Sequence, residues 1–131
     1  MKPSKYTSLY EDFAHAVNRF DEILAIEKND VVRDSAIKRF ELVFDLGWKT
    51  VKAYLEEQHN AVCISPRQCF REAFRTGLID HDSFWIEITD TRNYTVHTYN
   101  EALAEKIYAA LPKALEHYKS LRSALEQADK E

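Results

Sequence analysis

The chain has 131 residues, of which 45% are hydrophobic and 31% are charged, the balance of an ordinary globular domain. Its formal net charge of −4 argues against a broad basic face for duplex nucleic acid, so any nucleic-acid contact must be local. Only 2 glycines and 3 prolines occur, whereas β-sandwiches and barrels need frequent turn residues. The sequence therefore predicts few, long elements, and no apolar run has the length of a membrane span.

Two long amphipathic helices are predicted in the first half of the chain. From Tyr6 to Glu27 the apolar residues recur at helical spacing and form one stripe. Asn29-Asp30 interrupts the pattern and can cap a second helix, which ends near His59-Asn60. Gly47 lies inside the second helix, where glycine costs about 1 kcal/mol relative to alanine, so we expect another helix to approach closely there.

Three further helices are predicted in the second half. Ser65-Pro66 is a helix start, and Gly77 stands where a left-handed C-terminal cap is expected. Asp80 or Asp82 is the expected cap of a fourth helix, and Asn100 that of the last. The pattern predicts an all-α fold, an antiparallel up-and-down four-helix-type bundle with one additional short helix, as a single domain over residues 1–131.

The two cysteines, Cys63 and Cys69, are six residues apart, with a predicted helix start between them. The chain has no C-x-x-C spacing and no signal peptide, so the sequence predicts reduced thiols and a cytoplasmic protein. Cys69 is predicted to lie in the core, and Cys63 in a loop or at an edge.

The stretch from Thr89 to Tyr99 has weak helix propensity because it is rich in β-branched residues. We predict that it forms the end of the fourth helix and the turn into the fifth. Arg92 and His97 lie five residues apart in it, about 140° apart on a continuous helix, and they converge on one point only if the chain turns between them. The positive end of the fifth helix would then favour a phosphate nearby.

Arginine and histidine together suit phosphate chemistry. The guanidinium of Arg92 is a permanently charged fork for phosphate oxygens, and histidine is the residue type best suited to move a proton at physiological pH. They predict metal-independent RNA cleavage without a cofactor, in which the ribose 2′-hydroxyl attacks the adjacent phosphate. One histidine does not easily perform both proton transfers in a turnover, so a homodimer would bring two copies to one cleft. On spacing alone, a solvated arginine and a packing histidine explain the same pattern.

The segment Arg92-x4-His97-x-Tyr99 resembles the R-x4-H-x-Y motif of HEPN proteins, and in particular of the nucleotidyltransferase substrate-binding proteins. The resemblance covers nearly the whole chain, and it includes Phe40-Glu41, Trp48-Lys49, Ser65-Pro66-Arg67, Ala73-Phe74, Gly77-Leu78-Ile79, Trp85 and Arg92-Asn93. It implies a helical bundle that dimerises and that is paired, as toxin, with a minimal nucleotidyltransferase (MNT) as antitoxin.

The resemblance also implies roles for single residues. Arg92 and His97 would be the catalytic pair of a metal-independent endoribonuclease, and Asn93 would support them. In family members with the terminal tyrosine, the partner transfers adenylyl groups from ATP onto that residue, so Tyr99 would be the modified position. Adenylylation would place negative charge beside the catalytic pair and silence the toxin of a type VII-like pair.

Three residues of the second helix are further candidates. Glu41, Trp48 and Lys49 are predicted to line a nucleotide pocket or the dimer cleft, although a surface charge pair and a core or interface tryptophan explain them equally well. Two other functions also fit the sequence. One is a non-catalytic nucleotide- or substrate-binding subunit of a two-component nucleotidyltransferase, and the other is a helical interaction protein whose motif is structural.

Overall fold

The computed structural model describes residues 4–129, so the predicted domain limits at Met1 and Glu131 lie outside the described residues. Within that range the chain forms helices and no strand: α1 (Lys5–Leu24), α2 (Asp30–His59), α3 (Pro66–Arg75), α4 (Ser83–Tyr94) and α5 (Glu101–Asp129), with a short 3₁₀ segment (Thr95–His97) before α5. The predicted all-α fold with five helices is thereby confirmed. None of the helices in this range is both long enough and apolar enough to cross a membrane.

The ends of the helices show how the bundle is wound. Tyr6 at the start of α1 contacts the ring of Tyr54 near the end of α2 and donates its hydroxyl hydrogen bond to the carbonyl of Leu125 near the end of α5. The first helix therefore runs opposite to α2 and α5. Arg33, near the start of α2, bonds to Glu101 at the start of α5, so these two helices run in the same direction.

An aromatic cluster forms the centre of the core. The fully buried ring of Tyr118 on α5 meets Phe13 and Phe20 of α1, Phe40 of α2 and Trp85 of α4. Ring centroids separated by 5.4–6.4 Å in mostly edge-to-face arrangements are the favoured geometry for aromatic pairs. Four of the five helices are thus joined through one side chain.

The predicted helix boundaries follow from side-chain caps. The side chains of Asn29, Ser65 and Asn100 accept hydrogen bonds from the backbone N–H groups of Val32, Gln68 and Leu103, respectively. Gly77 adopts the left-handed conformation (φ 85°) after α3, as expected. Asp82 occupies the N-cap position of α4, but its side chain makes no capping hydrogen bond.

The predicted state of the cysteines is wrong. Cys63 and Cys69 form a disulfide instead of staying reduced. Their predicted positions are confirmed, since Cys69 is in the core and Cys63 is in the link between α2 and α3, where it is fully buried. The stretch after α2 folds back over the start of α3, which brings the two Cα atoms to 5.2 Å, within the range that a disulfide spans. Because the chain folds back at the start of α3, the two cysteines are close in space although this helix start lies between them in sequence.

A buried arginine fixes the start of α5. Arg33 is only 2% exposed, and its Nη1 donates to Glu101 (2.8 Å) and Glu105 (3.0 Å), while its Nε donates to Asp34 (3.0 Å). These carboxylates raise the pKa of Arg33 further above its usual range, so the charge is permanent. Lys28 also pairs with Glu105. The beginnings of α2 and α5 are therefore held together.

The close helix approach predicted at Gly47 is present. A Cβ atom at this position would lie 3.1 Å from Cε1 of the fully buried Phe13, closer than an ordinary van der Waals contact. We predict that Gly47→Val lowers the free energy of unfolding by about 1–3 kcal/mol, because the added methyl groups displace a ring that has no free space around it.

Urea unfolding followed by circular dichroism measures this effect. Glu56→Val is the matched control, because Glu56 is exposed on the same helix and valine there changes little besides helix propensity. Equal stability of the two variants would show that α1 does not approach α2 closely at Gly47.

Candidate functional site

The candidate segment spans the junction of α4 and α5. Arg92 lies in the last turn of α4, and the chain then tightens into the 3₁₀ segment before Asn100 caps α5. The hydroxyl of Thr95 donates to the carbonyl of Arg92 (2.7 Å), which satisfies one of the free carbonyls at a helix end. The predicted end of the fourth helix and the turn between Arg92 and His97 are both present.

Arg92 is anchored to the middle of α2. Its Nε and one Nη2 hydrogen donate to the two carboxylate oxygens of Asp45, at 3.2 and 3.1 Å, and its Nη1 donates to Thr95 Oγ1 at 3.0 Å. The carboxylate of Asp45 raises the pKa of Arg92 above its usual value. Three of the five guanidinium N–H groups are thereby used, and two remain for a ligand.

His97 and Tyr99 form an exposed pair. The Tyr99 hydroxyl lies 3.4 Å from His97 Nδ1, and the two rings meet edge to face with centroids 5.9 Å apart. Tyr99 is 82% exposed, so its phenol is open to a second macromolecule. Any group attached to the phenol oxygen would lie directly beside the imidazole.

The structure brings together only part of the predicted catalytic set. Among the described residues, Arg92 and His97 share no hydrogen bond: the guanidinium faces α2, whereas the imidazole stands beside Tyr99 on the surface. Asn93 is exposed at the end of α4. Convergence of Arg92 and His97 on one phosphate stays a prediction, and within one chain it requires a ligand that bridges the two groups.

The three candidates on α2 separate in the structure. Glu41 lines a shallow depression together with Arg92 and Asp45, and it pairs with Lys38 at 3.4 Å. Trp48 is partly buried and packs against the core, and Lys49 is exposed. Glu41 is thus the one of the three that is placed beside Arg92.

Asp45 and Thr95 were not identified from the sequence, although they hold Arg92 in place. Their spacing could have indicated them as candidates, because Asp45 lies four residues after Glu41 on one face of α2 and Thr95 lies three residues after Arg92. Their partner could not be read from the sequence, because the contact between α2 and α4 spans 47 residues. Over residues 4–129, no group of three histidine, cysteine or carboxylate side chains is arranged to hold a metal ion.

Comparison with known proteins places the chain in a family. The family model described as "Nucleotidyltransferase substrate binding protein like" matches residues 8–127. The fold and the motif define a HEPN-class helical bundle, and the chain belongs to the nucleotidyltransferase substrate-binding protein family.

Individual relatives agree with this assignment. A Haemophilus influenzae protein described as "Probable ribonuclease HepT" is 33% identical over 98 residues, which are 72% of this chain and 66% of that protein. The crystal structure of a Thermus thermophilus protein matches with a TM-score of 0.82 and 34% identity, over 86% of this chain and 98% of that one.

A second solved structure is that of HI0074 from Haemophilus influenzae, described as revealing the fold of a substrate binding domain of a nucleotidyltransferase. It matches with a TM-score of 0.68 and 26% identity, over 92% of this chain and 96% of that one. The chain is thus similar in sequence to a protein described as a probable ribonuclease and similar in fold to one described as a substrate binding domain.

The buried hydroxyl of Thr95 gives a test of how the segment is held. Thr95 is 3% exposed, and Thr95→Val removes both of its hydrogen bonds to Arg92 while it keeps the shape of the side chain. We predict that the free energy of unfolding falls by about 2 kcal/mol, because each of the two bonds contributes about 1 kcal/mol net.

Thr95→Ser is the matched control, since it keeps the hydroxyl and removes only a methyl group. Urea unfolding of the two variants compares them directly. If valine at position 95 proved at least as stable as serine, the hydroxyl would not be what holds the end of α4.

Proposed function

We propose that the chain is the toxin of a type VII-like toxin–antitoxin pair, a metal-independent endoribonuclease that acts through Arg92 and His97. The observation that carries this proposal is the exposed pair of His97 and Tyr99, with Nδ1 and the phenol oxygen 3.4 Å apart, five residues beyond an arginine with unused N–H groups. The description of a relative as a probable ribonuclease supports the reaction class.

The reaction needs a proton acceptor, a proton donor and a group that stabilises negative charge. The ribose 2′-oxygen attacks phosphorus as its proton passes to an imidazole, and the bond to the 5′-oxygen breaks. The products are a 2′,3′-cyclic phosphate and a 5′-hydroxyl, which takes its proton from a second acid. Arg92 donates its two remaining N–H groups to the phosphate oxygens on which negative charge builds.

A homodimer supplies the second acid. Each chain has one His97, and this imidazole and the Arg92 guanidinium share no hydrogen bond within the chain. Two copies arranged around a two-fold axis would present two imidazoles and two guanidinium groups to one cleft, so that one His97 accepts a proton while the other donates one. Asn93, exposed beside Arg92, would orient the substrate in that cleft.

The partner is a minimal nucleotidyltransferase that silences the toxin on Tyr99. In this step the phenol oxygen bonds to the α-phosphorus of ATP, pyrophosphate leaves with the electrons of the broken bond, and the phenol proton passes to solvent. The exposure of Tyr99 supports access by such an enzyme. The product carries a phosphodiester beside His97, where it competes with RNA for the cationic groups.

Removal of His97 tests the ribonuclease. We predict that wild-type protein cleaves single-stranded RNA in the presence of EDTA and leaves 2′,3′-cyclic phosphate ends. His97→Ala should lower the cleavage rate by about 10²–10⁴-fold, the usual contribution of general acid–base catalysis. Gel analysis of end-labelled RNA measures the rate.

His81→Ala is the matched control, because His81 is another exposed histidine, located in the link before α4. Cleavage that persists in His97→Ala, or that EDTA abolishes in the wild type, would contradict the proposed mechanism.

The silencing step has a separate test. We predict that co-expression with the cognate minimal nucleotidyltransferase adds one or more AMP units to the wild-type chain and none to Tyr99→Phe, as measured by intact mass spectrometry. Tyr94→Phe is the control, since Tyr94 is also a surface tyrosine, 55% exposed. AMP addition to Tyr99→Phe would show that another residue is modified.

A second function is favoured by one feature of the site. Asp45 already neutralises Arg92, so the guanidinium carries less attraction for RNA than an unpaired one. The chain would then be a non-catalytic subunit that presents a nucleotide or other substrate to a nucleotidyltransferase. Tight nucleotide binding by calorimetry, combined with an absence of RNA cleavage, would favour this function over the ribonuclease.

A further inference from the structure

A groove leads away from Arg92 along the outside of the bundle. The depression that contains Arg92, Asp45 and Lys38 shares Arg39 and Leu42 with a second depression between α1 and α2. The second depression continues to Arg19, His15 and Asp12 on α1. We call these two joined depressions the flanking groove.

The charge of the flanking groove differs from that of the whole chain. Its lining contains four permanent cations, whereas the protein as a whole carries a net charge of −4. The cations are Arg19, Lys38, Arg39 and Arg92, and the three carboxylates are Asp12, Glu41 and Asp45. The cations outnumber the carboxylates by one, so the groove is weakly positive although the chain as a whole is acidic.

Arg19 and Arg39 differ from the other two cations of the flanking groove, Lys38 and Arg92. Glu41 pairs with Lys38, and Asp45 pairs with Arg92, so both carboxylates nearest the motif are already neutralised. In the part of the chain that the structure describes, neither Arg19 nor Arg39 has a carboxylate within ion-pair distance. Their positive charges are therefore available to a ligand.

Arg39 is also held in position. Its Nη1 donates a hydrogen bond of 2.7 Å to the carbonyl of Arg19, which ties the side chain across the junction of α1 and α2. A guanidinium fixed in this way keeps several N–H groups for phosphate oxygens and loses less rotamer entropy on binding than a free lysine.

The floor between the cations is apolar. Leu42 is 53% exposed where the two depressions meet, and the partly exposed Leu46 continues this surface. Unpaired bases have apolar faces that pack on such a surface, whereas the bases of a duplex are stacked inside it. The combination of unpaired cations at the edges and an apolar floor suits a single strand with its bases turned inward.

We propose that the flanking groove binds the sugar–phosphate backbone and bases of single-stranded RNA next to the scissile phosphate. This inference rests on the proposed ribonuclease function, because it assigns Arg92 to the reacting phosphate and Arg39 and Arg19 to successive phosphates beyond it. The enzyme thereby selects unpaired RNA of several nucleotides over a dinucleotide.

The first test is a binding measurement that needs no cleavage. The affinity for a labelled 20-nucleotide unstructured RNA is measured by fluorescence anisotropy at several salt concentrations. The proteins compared are His97→Ala and the same variant with Arg19→Gln plus Arg39→Gln. Each lost phosphate contact should reduce the slope of log affinity against log salt by ~0.7, which is about an eightfold loss of affinity at 0.05 M salt.

Arg71→Gln is the matched control, because Arg71 is exposed on α3, far along the chain from the groove, and makes no ion pair with any described residue. Circular dichroism confirms that the variants fold. Arg39→Lys separates charge from geometry, since it should restore part of the salt slope but less of the affinity. Equal binding by the groove variant and Arg71→Gln would overturn the inference, as would an absence of RNA binding.

The second test uses the active chain and two substrates. With His97 intact, the double variant should cleave the 20-nucleotide RNA at least tenfold more slowly at subsaturating substrate, and it should cleave a dinucleoside monophosphate at the wild-type rate. Equal losses on both substrates would overturn the inference, because a dinucleotide does not reach Arg39 or Arg19.

The two proposals fail in distinguishable ways. If the ribonuclease function is wrong, the wild type cleaves neither substrate, and the binding test still decides whether the groove holds RNA. If only the groove is wrong, cleavage is present and the double variant behaves like Arg71→Gln. Loss of binding to the nucleotidyltransferase with unchanged RNA binding would show that the groove is a protein contact, which contradicts the assignment.

Discussion

The ion pair between Asp45 and Arg92 joins the middle of the longest helix to the last turn of α4. Because both carboxylate oxygens are engaged, the pair fixes the orientation of the guanidinium plane as well as its position. Thr95 then closes the helix end on the same side chain. The location of the whole segment up to Tyr99 relative to the bundle depends on this contact.

Underneath this contact lies the aromatic cluster around Tyr118. The hydroxyl of Tyr118 is fully buried, and among the described residues it is the buried side-chain group without a hydrogen-bond partner. Burial and the nearby Asp45 raise the pKa of this phenol well above its usual value, so it stays neutral. A neutral ring at this position lets four helices meet without adding a charge beneath the Asp45–Arg92 pair.

The bundle was predictable from sequence because its signals are local. Apolar spacing defines each helix, and Asn29, Ser65, Gly77 and Asn100 mark boundaries within one or two turns of their own positions. The site was only partly predictable for the opposite reason. Arg92, His97 and Tyr99 form a short motif, whereas Asp45 is distant in sequence, and an acidic residue on a helix face gives no indication of its partner.

The disulfide, like the partner of Arg92, could not be predicted from local sequence patterns. Two cysteines only six positions apart do not suggest a crosslink when a helix start separates them. A backbone that folds back over that start nevertheless gives the required Cα distance of 5.2 Å. The prediction of reduced thiols relied on spacing motifs, which describe where cysteines occur in known sites and not how the chain between them bends. Geometry of this kind is a property of the tertiary structure.

The ion pairs of Arg33 also restrain the segment that carries the motif. Arg33 pairs with Glu101 at the start of α5, and Asp45 pairs with Arg92 at the end of α4. The residues between Arg92 and Glu101 are therefore anchored at both ends. A bulky substituent on this segment would project into solvent and would leave the helices on either side in place. A chemical change in this segment would alter the surface that a partner recognises, while the helical bundle keeps its structure.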